Sequence, residues 1–260
     1  MTKQVLHIIK IGGNIIDDEQ ALSSFLTDFA SLNEPKILVH GGGIMATRLA
    51  EQLAVPTRML EGRRVTDEEN LKIVTMVYAG LINKQIVARL QALNCNAIGL
   101  SGADANVIPA TRRNPVPVDF GFVGDIVPST VNLSFLENLI RQRISPVCCA
   151  ITHDQKGSLL NSNADTIAAA LAIALSKHFE THLIFCFEKE GVLANPDDAS
   201  SLVSEITRVK YQELKQNKII TAGMIPKIDN AYKAIDAGVK KVLIKHARNL
   251  KNTIVTIIAD

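Results

Sequence analysis

The sequence predicts an α/β fold on a mainly parallel central sheet, and two patterns carry that reading. Short β-branched apolar runs alternate with longer stretches of helical period, the order that βαβ units produce. Glycine-rich turns stand where predicted strands run into predicted helices, at Gly12 and Gly13 and again at Gly41, Gly42 and Gly43.

The alternation begins with VLHIIKI (5–11) as a buried strand, a helix from Asp18 to Leu32, the strand KILVH (36–40) and a helix from Ile44 to Leu53. A long helical stretch follows from about Asp67 to Leu93. Thr66 reads as its N-cap because Glu69 stands three residues on, the spacing of a capping box. That helix packs inside its lobe or across a dimer interface. NAIGLSG reads as another buried strand. The segment VIPATRRNPVPVDFGFVGDIV carries three prolines and two glycines among alternating residues, as a hairpin or irregular flap does. A helix from Val131 to Arg141 comes next, then ISPVCCAITHDQKGSLLN as two strands around a polar turn, then an alanine-rich helix from Ala164 to Lys177. After HFETHLIFCF the pattern restarts, with a glycine-containing loop, a polar segment, helices near Tyr211 and from Met224 to Ala237, and the strands KKVLIKH and TIVTII. A lobe boundary falls near Ser176 to Thr181.

A chain of 260 residues accommodates one large α/β unit or two packed lobes. Hydrophobic residues at 47% and charged residues at 21% exclude a mainly disordered or fibrous chain. The net charge of +2 excludes the broad basic surface that binds nucleic acid non-specifically. Cys95, Cys148, Cys149 and Cys186 show neither a metal-ligand spacing nor the density of a disulfide scaffold, so they read as reduced, buried small residues. The first strand starts too early for a signal peptide, and no apolar run approaches the roughly 20 residues of a membrane span. The expected setting is the cytoplasm.

Five segments bear on chemistry. In IIKIGGN, paired glycines let backbone N–H groups approach an oxyanion, the following helix N-terminus adds positive potential, and Lys10 offers mobile charge to a phosphate. A tight strand-to-helix turn with a snorkelling lysine explains the same residues. In VHGGGIM, three successive glycines carry a backbone entropy cost that a simple connection does not need, which favours an approaching ligand. Neither loop matches GxxxxGK[ST] or GxGxxG, which disfavours a P-loop enzyme and a Rossmann dehydrogenase. In EGRRVTDEE, an arginine fork before a helix suits a substrate carboxylate, although adjacent arginines also make an ordinary solvated face. In LLNSNADTIAAALA, Asn163 and Asp165 serve either as cap and dipole partner or, with Asn161, as ligand groups at the end of a strand pair. In IITAGMIPKIDNA, Lys227 near a helix N-terminus opposes the dipole unless an anion offsets it, or else is simply exposed.

Taken in order, IIKIGGN, VHGGG, RRVTDEE, the FGFVGDI flap, NSNAD and ITAGMIPKI resemble the amino-acid kinase superfamily. Within it they resemble the acetylglutamate kinases, which phosphorylate N-acetyl-L-glutamate in arginine biosynthesis. The resemblance implies a three-layer αβα sandwich in two lobes, residues 1–178 for acyl-glutamate binding and dimerisation and residues 179–260 for the nucleotide. It implies ATP as phosphoryl donor with Mg²⁺ carried by the nucleotide, no protein metal site, no nucleic-acid or membrane partner, and a homodimer. By resemblance Lys10 and Lys227 contact the transferred phosphoryl group and Asp165 orients both lysines. Gly12, Gly13, Gly42 and Gly43 donate hydrogen bonds around phosphate and substrate, Arg64 holds a substrate carboxylate, and Asn161 reaches the amide. Glu188, Gly191, Leu193, Ile219, Ile220 and Thr221 line the ATP site. A carboxylate acceptor needs no deprotonation, so such a site holds two anions in line and offsets their repulsion rather than supplying a general base.

Two departures bear on these expectations. Where many relatives have a DVSG-type turn, this chain has FEKEG at Phe187 to Gly191, which alters the adenine or ribose contacts. The extra N-terminal helix of arginine-inhibited relatives does not precede the first strand, so an arginine-insensitive dimer is expected. Other acceptors fit the same frame: N-succinyl-L-glutamate, glutamate, carbamate or aspartate. A non-catalytic amino-acid or nucleotide sensor is the reading from a different class.

Overall fold

The computed structural model describes residues 3–60, 62–195, 198–217, 219–220 and 224–260. Chain order runs β1 (Val5–Ile11), α1 (Gly13–Asp17), α2 (Glu19–Ser31), β2 (Lys36–His40), α3 (Gly43–Gln52) and the hairpin β3 (Arg58–Leu60) and β4 (Arg63–Val65). One helical stretch then comprises α4 (Glu68–Thr75), a π-helical segment (Met76–Ile82) and α5 (Asn83–Ala92), and it leads to β5 (Ala97–Leu100). The flap hairpin β6 (Thr111–Arg112) and β7 (Gly124–Asp125) precedes α6 (Leu133–Arg141) and β8 (Ser145–Cys149). Next come the hairpin β9 (Ile151–His153) and β10 (Leu159–Asn161), then α7 (Ala164–Leu175) and β11 (Glu180–Phe187). The last elements are β12 (Glu205–Ile206), α8 (Arg208–Gln216), α9 (Ile225–Asp236), β13 (Lys241–His246) and β14 (Thr256–Ile258).

Eight strands form the central sheet in the order β12-β14-β13-β11-β1-β2-β8-β5. Every neighbouring pair is parallel except β13 with β14. Strands covered by helices on both sides must be apolar on both faces, and β2, β8 and most of β11 are buried residue after residue. The alanine-rich α7 packs on β1, β2 and β11 and carries α9 on its outer side, while α5 packs on β5 and β8 and against α2. α7 is apolar nearly all round, and ten of its twelve residues are buried, as an interior helix requires.

Local chemistry explains the element ends. The Asp18 carboxylate accepts from the amides of Gln20 and Ala21 at 3.0 and 2.9 Å, which starts α2. Ala21, Leu22, Phe25, Leu26 and Phe29, at three- and four-residue spacing, then bury one face of that helix. Each large side chain so buried contributes about 1.5–3 kcal/mol.

Three expectations need correction. α4 is capped by Asp67, whose carboxylate accepts from the Asn70 amide at 2.8 Å, and not by Thr66. The Thr66 hydroxyl is already committed, donating to the Arg64 carbonyl at 3.2 Å and accepting from Asn161 at 2.9 Å. Glu69 pairs with Lys72 at 2.7 Å and closes no capping box. The stretch from 68 to 92 is not uniformly α-helical, because residues 76–82 widen into a π-helix. Finally, ISPVCCAITHDQKGSLLN makes three strands, since β8 joins the central sheet before β9 and β10 turn back on each other.

The stretch from Glu68 to Ala92 has the length and composition to cross a membrane. Its Ile73, Val74, Val77, Ile82, Ile86 and Leu90 are instead core residues, and Lys72, Lys84 and Gln85 stand exposed along it.

Candidate active site

Chain direction reverses around β1: the connections through β2 and β8 run one way across the sheet and those through β11 and β13 run the other. Crevices at such a reversal, beyond the carboxyl ends of the strands, are where open α/β sheets bind ligands. A cleft of about 530 Å³ lies there. Lys10, Gly12, Gly13, Gly42, Gly43, Arg64, Asn161, Glu188 and Lys227 all line it, so residues spread over more than two hundred positions converge.

The charged centre consists of Lys10, Asp165 and Lys227. Lys10 is the penultimate residue of β1, and its Nζ lies 2.8 Å from Oδ1 of Asp165, with both side chains about nine-tenths buried. Asp165 sits in the first turn of α7, where the Asn163 side chain caps the helix by accepting from the Thr166 amide at 3.0 Å. Capping and charge placement therefore coexist in one turn. Burial by itself raises the Asp165 carboxyl, but Lys10 and Lys227 outweigh it and hold the group below the usual carboxylate range. Lys227 arrives from the first turn of α9, and burial lowers its ammonium from the usual lysine range, with Asp165 opposing and Lys10 reinforcing that shift. Lys10 and Lys227 thus share the Asp165 carboxylate, and Glu188, which also lines the cleft, attracts Lys227 as well.

The glycine turns bring backbone donors to the same place. The Gly12 amide donates to the Cys186 carbonyl at 3.1 Å, which extends the β1–β11 pairing. The amides of Gly13 and Asn14 open α1 without an intrahelical acceptor. The Asn14 side chain donates to Glu188 at 3.0 Å, joining this turn to the end of β11. At Gly42, φ is +152°, and a Cβ there would fall 2.2 Å from Cδ1 of Ile82 and 3.0 Å from the Tyr78 ring. Only glycine lets α3 start against the π-helical segment.

Arg64 lines the same cleft. It is 7% exposed, and its fork donates to the Gly43 carbonyl, Thr47, Thr57 and Asn70 at 2.7–3.3 Å. All four acceptors are neutral, and among the described residues no carboxylate pairs with it. A buried guanidinium so arranged is held rigidly but not neutralised, which fits a carboxylate ligand. The flap braces the segment that follows the Arg64 strand. The Thr66 amide donates to Phe120, the Phe122 amide to Thr66 and the Asn161 amide to Phe122, at 2.7–2.9 Å. The side chain of Asn161 donates to Thr66, so the flap, β10 and the approach to α4 form one frame. Val123 and Arg113, which pairs with Asp125 at 2.5 Å, bring the flap to the cleft wall.

Some predicted residues lie elsewhere. Gly191 and Leu193 do not line the cleft. A Cβ on Gly191 would come within 2.5 Å of the Thr256 hydroxyl and 2.7 Å of Leu202, and Leu193 bridges to Leu202, so both shape the loop after β11. Ile219 and Ile220 donate backbone hydrogen bonds to Leu214 at the end of α8 and also stand outside the cleft lining. Thr221 lies outside the described residues. Conversely, Tyr78, Asn14 and Phe187 line the cleft without having been predicted. Asn14 directly follows the glycine pair and Phe187 opens the FEKEG segment, so each was flagged by its neighbours. Among the described residues no group of three or more His, Cys, Asp or Glu could hold a metal ion.

A model of the amino acid kinase family matches residues 6–246. Acetylglutamate kinase from Parabacteroides distasonis is 52% identical over 94% of this chain and 95% of its own length. The enzyme of that name from Cytophaga hutchinsonii is 53% identical over 95% and 93%. Among solved structures, a Streptococcus mutans protein superposes with a TM-score of 0.82 at 30% identity, covering 98% of this chain and 99% of that one. Giardia carbamate kinase superposes at 0.67 and 13% identity over 99% and 98%, which speaks to the fold alone. With this cleft and these relatives, the chain belongs to the amino acid kinase family.

Proposed function

We propose that the protein transfers the γ-phosphoryl group of ATP to the γ-carboxylate of N-acetyl-L-glutamate, as an acetylglutamate kinase. The carrying observation is the Lys10–Asp165–Lys227 centre standing in one cleft with the un-neutralised guanidinium of Arg64. The relatives named acetylglutamate kinase, about half identical over nearly the full length, support the same acceptor.

In this reading Arg64 receives the substrate carboxylate that is not phosphorylated, and Asn161 the amide. The γ-carboxylate then points toward Lys10 and the Gly13 and Asn14 amides. The carboxylate attacks as the anion it already is, so no general base is needed. Lys10 and Lys227 offset the charge that spreads over the transferring oxygens, and Asp165 keeps the two ammonium groups convergent. ATP enters as substrate with its Mg²⁺. Residues 179–260 hold the nucleotide, with Glu188 at the cleft and with Gly191, Leu193, Ile219 and Ile220 shaping its approach. Residues 1–178 hold the acceptor and pair two copies, through a helix that exposes Met76 and Leu81. Four buried free thiols suit a reducing compartment such as the cytoplasm.

Steady-state rates with N-acetyl-L-glutamate, N-succinyl-L-glutamate and free L-glutamate test the assignment. The acetylated acceptor is expected to show the highest kcat/KM, and full activity on free glutamate alone overturns it.

A further inference from the structure

We infer that Phe187 is a positioning residue for phosphoryl transfer, holding the Lys227 ammonium over the cleft by cation–π attraction without neutralising it. The inference rests on the reading of the cleft as a phosphoryl-transfer site.

Phe187 ends β11, is 8% exposed and lines the cleft. The Lys227 Nζ lies 3.7 Å from the centre of its ring, and the Lys10 Nζ lies 5.3 Å from it. Both fall within the roughly 6 Å over which a ring face attracts an ammonium group. The ring itself is fixed: Phe185 stacks against it at 6.4 Å and an interplanar angle of 12°, and Gly12 lies beside its edge.

The two lysines are held differently. Lys10 has a carboxylate at 2.8 Å. Among the described residues Lys227 has no side-chain hydrogen bond and no ion pair; Asp165 and Glu188 attract it from beyond ion-pair distance, and the Phe187 ring centre lies 3.7 Å from its Nζ. This difference has a chemical use. A carboxylate in direct contact would cancel the charge, occupy the N–H donors and repel an incoming phosphate. A carbonyl would occupy a donor. An aromatic face attracts the ammonium, leaves its charge in place and leaves donors for phosphoryl oxygens. Being apolar, it also lowers the local dielectric in which that charge acts.

The test replaces Phe187 with 4-fluoro-, 3,5-difluoro- and 3,4,5-trifluorophenylalanine, which keep the ring's shape while draining its negative face. If the ring acts through Lys227, log kcat falls in step with fluorine number, about twofold per fluorine, and Phe187→Leu loses about tenfold, with little change in KM for ATP. In a Lys227→Met background the fluorine series is expected to be flat. A packing role predicts no fluorine trend in either background. A flat series in the otherwise native chain, with Lys227→Met still strongly impaired, overturns the inference and leaves the site reading intact. A trend that persists without Lys227 also overturns it. Unimpaired Lys227→Met overturns the site reading itself.

Discussion

Replacing Asp165 by asparagine keeps the shape of the side chain and removes the charge that two lysines share. At the observed 2.8 Å, a unit pair in an effective dielectric near 20 attracts by about 6 kcal/mol. Desolvation offsets part of this, and breaking a buried pair by removing one partner costs about 3–5 kcal/mol. For a chain of this size each kcal/mol moves Tm by about 2–4 °C, so Asp165→Asn is expected to melt at least about 6 °C lower. The loss also makes the variant short of negative charge at its centre. Inorganic phosphate or Mg-ATP, binding between the same lysines, is therefore expected to raise its Tm by more than it raises that of the native chain. Thermal melts with and without each anion read both effects, and kcat is expected to fall about 10²-fold. A Tm within about 1 °C of the native value, with equal anion shifts in the two proteins, means that the Asp165 charge does not balance the two lysines.

Lys10→Met and Lys227→Met are each expected to lower kcat about 10²- to 10³-fold with little change in KM. They separate in urea unfolding, because Lys10→Met strands the Asp165 carboxylate and destabilises, whereas Lys227→Met removes a desolvated ammonium and does not. Arg64→Lys keeps the charge but cannot serve Gly43, Thr47, Thr57 and Asn70 together. Its acceptor KM is expected to rise about 30-fold with a smaller change in kcat, as initial rates will show. Burial lowers the pKa of His7, with His182 reinforcing, and that of His40 as well, each to about 4. Both rings are therefore neutral when folded, and their contribution is fully present above the unfolded value near 6.5 and is lost as pH falls toward 4. Urea unfolding at pH 7.5 and pH 5 is expected to differ by about 2 kcal/mol for each ring, and a flat profile counts against neutral burial.

His40 shows how position in the fold decides a role. Its Nδ1 lies 2.8 Å from the Gly41 carbonyl and its Nε2 3.0 Å from the Asn83 amide nitrogen, so the ring is a fully used structural link, as expected of a packing residue. The parallel sheet and most helices were legible because period and β-branching are local properties. Lys10, the glycine turns and Asn163 were legible for the same reason: each sits at a strand-to-helix junction marked by its neighbours. What depends on distant partners was not. Thr66 looked like a cap until Asn161, ninety-five positions away, engaged its hydroxyl, leaving Asp67 to cap α4. The π-helical widening at Met76–Ile82 puts Tyr78 into the cleft, and no change of period in the sequence announces it. Gly191 is a nucleotide-loop glycine by resemblance, yet its close neighbours are Leu202 and Thr256, the latter brought there by β14 from the end of the chain.

In the proposed reaction two lysines from opposite ends of the chain flank the phosphoryl group as it moves to a carboxylate. Trapping the product with hydroxylamine tests it most directly. The purified chain with Mg-ATP and N-acetyl-L-glutamate is expected to yield an acyl hydroxamate in step with ADP, and the Lys10→Met, Lys227→Met double variant to yield almost none. ADP release without hydroxamate, or hydroxamate formed equally well by the double variant, contradicts the proposed reaction.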